Sequence, residues 1–228
     1  MRLLVPLFLF AFAGLFTDAA VTETIEATHT VTADASFSLE NINGTVSIDT
    51  WDRSEIRIVA VKEARTQEDL DAIEVKIQAD DDHVAVKTEY NRKEGSFLSK
   101  WTNSGDVTYS VTVPHGASLR KVRTVNGSVH VENVGGTVDV ATVNGSIDTS
   151  GLRSDANLET VNGNVKARFA SVSDNQSIEI GSVNGRSEIV LPEDANCGIK
   201  ARTVHGGIRT DFDLEVDKRK YGPGSRLN

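Results

Sequence analysis

Residues 124–131 read TVNGSVHV, and the chain returns to this phrase repeatedly. ATVNGSID follows from Ala141, ETVNGNVK from Glu159, GSVNGRSE from Gly181 and RTVHGGIR from Arg202, with an outlying NINGTVSI from Asn41. Taken alone, Asn-Gly between two β-prone runs marks the tip of a two-residue hairpin. Taken as a series, it marks a repeat. Gly127, Gly145 and Gly163 are 18 residues apart, and the next intervals, to Gly185 and Gly206, are 22 and 21. Gly136 of NVGGTVDV lies midway between Gly127 and Gly145, and Gly151 lies near the next half-way point. The unit is therefore a short strand, a bend, one more apolar residue and a turn.

The orientation of one residue type separates two architectures. In an antiparallel meander, Val125, Val143, Val161, Val183 and Val204 fall on the face opposite Val129, Val131, Val138, Val140 and Ile147. That arrangement needs a second core or exposes a valine in every repeat. In a parallel β-solenoid the chain bends at Asn-Gly and carries on, so Val125 and Val129 both point inward and like residues stack in columns. The expected fold is accordingly all-β: a parallel β-solenoid of ~18–22 residues per rung, with a more irregular β-rich N-terminal half.

In that frame Asn43, Gly44, Asn126, Gly127, Asn144, Gly145, Asn162, Gly163, Asn184 and Gly185 form a structural turn ladder, closed by His205 and Gly206. Glycine is expected there for a bend at φ > 0, and asparagine for its tolerance of such bends and for bonding from rung to rung. With Val inward, the hydroxyl residues before it, Thr124, Thr142, Thr160, Ser182 and Thr203, point outward. This flat column is the candidate binding surface for a repetitive ligand such as a glycan. Ordinary β-propensity of threonine accounts for the same column without a ligand.

Outside the repeat the pattern is also β. EIRIVAVKEA from Glu55, EVKIQAD from Glu74, HVAVKTEY from His83 and DVTYSVTVP from Asp106 alternate with period two. One short helix is expected at TQEDLDAI, with Thr66 as its cap and Asp69 three residues on. Residues 1–19 carry Arg2, an apolar run of 14 residues and a small-residue tail, the order of a secretory signal peptide cleaved after Ala19 or Ala13. The expected division is a leader at 1–19, an N-terminal β-rich part at 20–120, the VNG repeat at 121–216 and a tail at 217–228.

An exported chain with NINGTVSIDTWD, EIRIVAVKEA, TYSVTVPHGASL and tandem TVNGSV units resembles the bacterial putative-adhesin family of β-strand-repeat domains, related to the head-GIN adhesins. The resemblance spans roughly residues 24–216. It implies a β-solenoid in the cell envelope or on the surface, with relatives linked to envelope stress and no catalytic residues to carry over. Such relatives continue past a segment like DFDLEV into another glycine-rich rung. This chain reads YGPGSRLN there, so its tail is expected to be truncated or to cap the stack differently.

Composition narrows the chemistry. The formal charge is −9, and losing Arg2 and Asp18 with the leader leaves it at −9. An acidic chain argues against nucleic acid, and against the membrane except through an uncleaved leader. Cys197 is the one cysteine and reads as a small, partly buried residue, with no intramolecular disulfide to form. The sequons at Asn43, Asn126, Asn144 and Asn175 read as by-products of turns. Asp80, Asp81, Asp82 and His83 read as a solvated turn, and His29, His115, His130 and His205 fit no zinc spacing. The outward carboxylates Asp139, Asp148, Glu179 and Glu188 do not recur in a single column, and no nucleophile or phosphate-loop signature is present. Trp51 is expected on the core, while Trp101 is open between core packing and sugar stacking. No metal, cofactor or catalytic residue is expected. The resulting expectation is an exported, non-enzymatic adhesin-like module meeting a surface glycan or envelope protein. The alternatives are a structural or stress-linked envelope component and, further off, a carbohydrate-active enzyme.

Overall fold

The computed structural model describes residues 20–91, 105–193, 195, 198–205, 216–217 and 225–227. The leader, Trp101, Cys197 and Gly206 lie outside the described residues. Before the repeat come β1 (Val21–Thr30), β2 (Ser36–Glu40), β3 (Val46–Trp51), β4 (Glu55–Ala64), α1 (Gln67–Asp71), β5 (Ile73–Ala79), β6 (His83–Tyr90) and β7 (Gly105–Pro114). Thr66 caps α1 as its sequence requires: Asp69 N donates to Thr66 Oγ1 at 3.1 Å, and Thr66 Oγ1 donates to Asp69 Oδ2 at 2.8 Å.

Each repeat then contributes two strands, one on either side of its Asn-Gly. These are β8 (Ser118–Asn126) and β9 (Val129–Glu132), β10 (Val138–Asn144) and β11 (Ile147–Leu152), β12 (Ala156–Asn162) and β13 (Val165–Phe169), β14 (Ser177–Asn184) and β15 (Ser187–Val190). β16 (Gly198–His205) begins a further rung, and β17 (Val216–Asp217) and β18 (Ser225–Leu227) are short additions.

Among the described residues the strands form two sheets. One runs β1-β4-β7-β3-β9-β11-β13-β15, the other β17-β18-β16-β14-β12-β10-β8-β2-β6-β5. Each rung places one strand in each sheet, so the two strands flanking an Asn-Gly do not pair with each other. Repeat neighbours pair in parallel and in register, Thr142 with Thr124 and Thr160, Asn144 with Asn126 and Asn162. Antiparallel pairs are confined to β1–β4–β7 and β5–β6 at one end and β16–β18–β17 at the other. The fold is all-β and solenoid-like, built of two mixed sheets that do not close into a barrel, and the hairpin reading of Asn-Gly does not hold.

The outlying NINGTVSI has its place in this stack. The rung β2–β3 lies between β6–β7 on one side and β8–β9 on the other. Asn41, Ile42 and Asn43 therefore stand level with Thr124, Val125 and Asn126, and Asn43 bridges Asn126 directly.

Side-chain orientation reverses the expectation. Val125, Val143, Val161 and Val183 face solvent at 37–39% exposure, while Thr124, Thr142, Thr160 and Ser182 are buried at 3–4%. The expected bend before the valine does not occur. β10 runs unbroken through Val138–Asn144, so Val138, Val140 and Thr142 share the buried face, and Val143 takes the other. Between the sheets lie Val129, Val131, Val138, Val140 and Ile147, all essentially without solvent contact. The side chain of Thr203 is not among those described; its backbone continues the register from Ser182.

Candidate functional site

The corner at each Asn-Gly is built from three residues with separate tasks. The glycine permits contact. A Cβ on Gly127 would stand 2.0 Å from Gly44 O, one on Gly145 2.0 Å from Gly127 O, and one on Gly185 1.8 Å from Gly163 O. Close approach between rungs is thus the reason for glycine in the repeat, and the expected φ > 0 is clear only at Gly44, at 112°.

The hydroxyl residue satisfies the carbonyl that this stacking turns inward. Thr142 Oγ1 donates to Gly127 O at 2.9 Å, Thr160 Oγ1 to Gly145 O at 2.8 Å and Ser182 Oγ to Gly163 O at 2.9 Å. An unpaired carbonyl in a buried corner costs more than burying a hydroxyl that answers it. The first rung has Asn41 in this place, and its Nδ2 donates to Asn43 O at 2.9 Å, Gly44 O at 3.3 Å and Val107 O at 2.9 Å. With Gly44 O already engaged, Thr124 Oγ1 is buried without a partner. Sequence reasoning missed Asn41; its signal is the substitution of N-I-N-G for T-V-N-G.

The asparagines stand in a ladder along the corner. Asn126 Nδ2 donates to Asn43 Oδ1, Asn144 to Asn126, Asn162 to Asn144 and Asn184 to Asn162, each at 2.8 Å. Asn184 pairs on the backbone with His205, whose carbonyl accepts from Gly185 N at 3.3 Å.

These buried corners leave the outward face of the second sheet with a continuous apolar row. Ile42, Val125, Val143, Val161 and Val183 follow one another at 36–39% exposure, and half-buried Val204 extends the row. At ~4.8 Å between parallel strands, six levels reach ~24 Å. Beside it runs a second column, Glu40, Arg123, Ala141, Glu159, Gly181 and Arg202. Ala141 and Gly181 add little bulk, so a groove of ≈ 460 Å³ opens between the valines and the charged residues. Arg123 is fixed by two bonds to Asp139, at 2.8 and 2.9 Å. Lys121 donates to Glu40 and holds its carboxyl below the usual carboxylate range, with partial burial opposing. Glu159 and Arg202 are exposed and have no ion-pair partner among the described residues.

The remaining candidate groups are engaged one by one. Asp139 pairs with Arg123, Asp148 with Arg168, Glu179 with Lys200 and Glu188 with Lys166. They do not form a single column, but Asp139 and Glu179 stand two rungs apart in one column, on either side of Asn157, and Asp148 and Glu188 in another, on either side of Lys166. His83 sits between Ser36 and Ser38, and His115 between Thr50 and Asp52. Among the described residues no group of three or more His, Cys, Asp or Glu is placed to hold a metal ion. Trp51 is half-buried at the end of β3, donates from Nε1 to Glu55 O at 2.7 Å and carries the Arg53 guanidinium 5.0 Å above its ring.

Parallel rungs presenting one apolar row on an outward face define a repeat-built β domain. The chain belongs to the Toastrack DUF4097 family, whose model matches residues 17–226. The resemblance carried by the tandem TVNGSV units is thereby borne out. Among solved structures, a putative cell adhesion protein from Clostridium sporogenes ATCC 15579 is similar with a TM-score of 0.51 and 11% identity, over 76% of this chain and 100% of that one. A putative adhesin from Bacteroides fragilis NCTC 9343 has a TM-score of 0.39 and 15% identity, over 82% of this chain and 92% of its own. At such identities the first shows a shared fold alone, and the second carries no argument. No curated protein matches the chain. No helix among the described residues is long and apolar enough to cross a membrane.

Proposed function

We propose that this chain is an exported, non-enzymatic interaction module of the cell envelope or surface, adhesin-like in action, working through the outward face of its second sheet. One observation carries the reading: the unbroken row from Ile42 to Val204 on a rigid, hydrogen-bonded surface. Scattered exposed apolar residues are ordinary, but a contiguous row rimmed by charge marks an interaction site. The signal-peptide pattern of residues 1–19 supports export, and the carboxylates held singly by cations support a role without catalysis. The name of the similar Clostridium sporogenes structure, a putative cell adhesion protein, agrees with it. We read the stack as a parallel β-solenoid of ~18–22 residues per rung, the repeat that makes such a row straight.

Turning the threonines inward changes the kind of partner. The hydroxyls of Thr142, Thr160 and Ser182, expected to meet a glycan, are spent on glycine carbonyls, and an apolar protein surface fits the valines better than a sugar does. The test is capture of envelope proteins and surface glycans by immobilised protein, wild type beside Val161→Lys. Wild-type capture lost in the variant is expected. Equal capture by both, or none by either, sinks this reading and leaves a structural envelope component without a discrete ligand.

A further inference from the structure

The Asn-Gly corners carry a chemistry of their own. Glycine leaves its backbone nitrogen unshielded by a side chain, so that nitrogen can attack the side-chain amide of the asparagine before it. We propose that Asn184 is a site of spontaneous deamidation, and that loss of its amide opens the asparagine ladder rung by rung from this end.

The step needs only hydroxide and water. Gly185 N gives its proton to hydroxide and attacks Asn184 Cγ. The N–Cγ bond forms, the Cγ–Nδ2 bond breaks, and the amide leaves as ammonia after taking a proton from water. Water then opens the cyclic imide at one carbonyl or the other, leaving aspartate or its β-linked isomer.

The ladder decides where this happens. Asn126, Asn144, Asn162 and Asn184 are all exposed, so access of hydroxide does not separate them, while Asn43 is buried. At Asn126, Asn144 and Asn162 the amide is pinned from both sides. Asn144 donates from Nδ2 to Asn126 Oδ1 and accepts at Oδ1 from Asn162 Nδ2, each at 2.8 Å. Swinging its Cγ over the glycine nitrogen breaks both bonds. Asn184 donates to Asn162 Oδ1 at 2.8 Å, but its own Oδ1 accepts from no group among the described residues. The next level holds His205, which brings no amide to the column. The nucleophile is also held less firmly there. Gly127, Gly145 and Gly163 donate to asparagine carbonyls at 3.1 Å, Gly185 to His205 O at 3.3 Å. One hydrogen bond fewer to break is worth about fivefold in rate.

The product then loosens its neighbour. A carboxylate at position 184 has no hydrogen to give Asn162 Oδ1 and sets negative charge beside that oxygen. The β-linked isomer also lengthens the backbone by one carbon, which shifts Gly185 off its close approach to Gly163. Asn162 becomes the new free end, and Asn144 follows it.

Peptide mapping by mass spectrometry of the folded protein, held in mildly alkaline buffer, follows each Asn-Gly pair separately. Asn184 should convert about fivefold faster than Asn144, whereas the urea-unfolded chain should convert all its Asn-Gly pairs at similar rates. Two variants move the free end. His205→Asn supplies an amide on the next level and should slow Asn184 to the rate of Asn144. Asn184→Asp starts from the product and should speed Asn162 about fivefold. Both changes fall on exposed side chains, and far-UV circular dichroism should be unchanged. The proposal is overturned by an Asn184 that stays intact while the unfolded chain is converted, by an interior asparagine reacting first, or by an Asn184 rate indifferent to His205→Asn. An Asn162 rate indifferent to Asn184→Asp overturns the spread along the ladder.

Discussion

At the scale of the residue, glycine and threonine at the corners divide one problem: rungs in van der Waals contact, and a carbonyl facing inward. Gly145→Ala places a Cβ 2.0 Å from Gly127 O and 3.0 Å from Ser128 N, both unyielding backbone of the neighbouring rung, and should cost about 3 kcal/mol or more in urea unfolding. Gly181→Ala is the control, since its nearest neighbour would be Glu159 Cγ at 3.9 Å, and it should stabilise by about 0.5 kcal/mol. The hydroxyls make a second contrast. Thr142→Val removes the donor to Gly127 O and should cost about 1–3 kcal/mol, whereas Thr124→Val deletes a buried hydroxyl without a partner and should be neutral or slightly stabilising. Equal losses at both positions would show that the hydroxyl bond is not what keeps threonine inside. Glycine's presence at these corners was legible in the sequence, but its reason was not. Close approach involves a carbonyl 18 or more residues away, as from Gly145 to Gly127 O, which no local pattern displays.

At the scale of the element, the phase of a strand decides which valine matters. In TVDVATVNG the parity of Val138 and Val140 continues to Thr142, so the outward position of Val143 was readable to anyone who kept the strand whole. Hydropathy argued for a bend there because threonine and valine have similar β-propensity and only valine looks like core. What settles it is the orphan glycine carbonyl, a tertiary demand. Val161→Ser should therefore change stability by no more than about 0.5 kcal/mol, while Val140→Ala, with no solvent contact, should cost a few kcal/mol by the same measurement. β6 and β7 add a titratable core contact. Tyr109, fully buried and bonded to Thr88 at 2.7 Å, has its pKa pushed up to about 12 from an ordinary 10.0, burial being the main cause. The unfolded chain releases this proton first. Stability from this group is thus complete below pH 10.0, falls as pH rises towards about 12, and Tyr109→Phe should flatten that slope in alkaline unfolding curves.

At the scale of the molecule, composition and period correctly indicated an all-β, rung-built chain, because stacking identical rungs writes a period into the sequence. They did not reveal that β2–β3 sits inside the stack, β2 third and β3 fourth from the end of its sheet, between rungs that begin 47 and 82 residues further on, at His83 and Ser118. Periodicity reports which rungs are alike, whereas insertion between two others depends on the path of β4, α1 and β5 outside the repeat. That path predicts an order of folding. From Ser118 onward each rung finds its neighbour within one repeat, so nucleation is cheapest there, and the loop entropy for seating β2–β3 is far larger. Pulsed hydrogen exchange during refolding should protect the amides of β10–β13 before those of β2 and β3; simultaneous or reversed protection would count against this order. A growing chain that has not yet reached Glu132 holds a first rung with one flank still missing. On this order β2 and β3, synthesised well before β8–β15, are among the last strands to be seated, and until then their edges are open to whatever else is nearby.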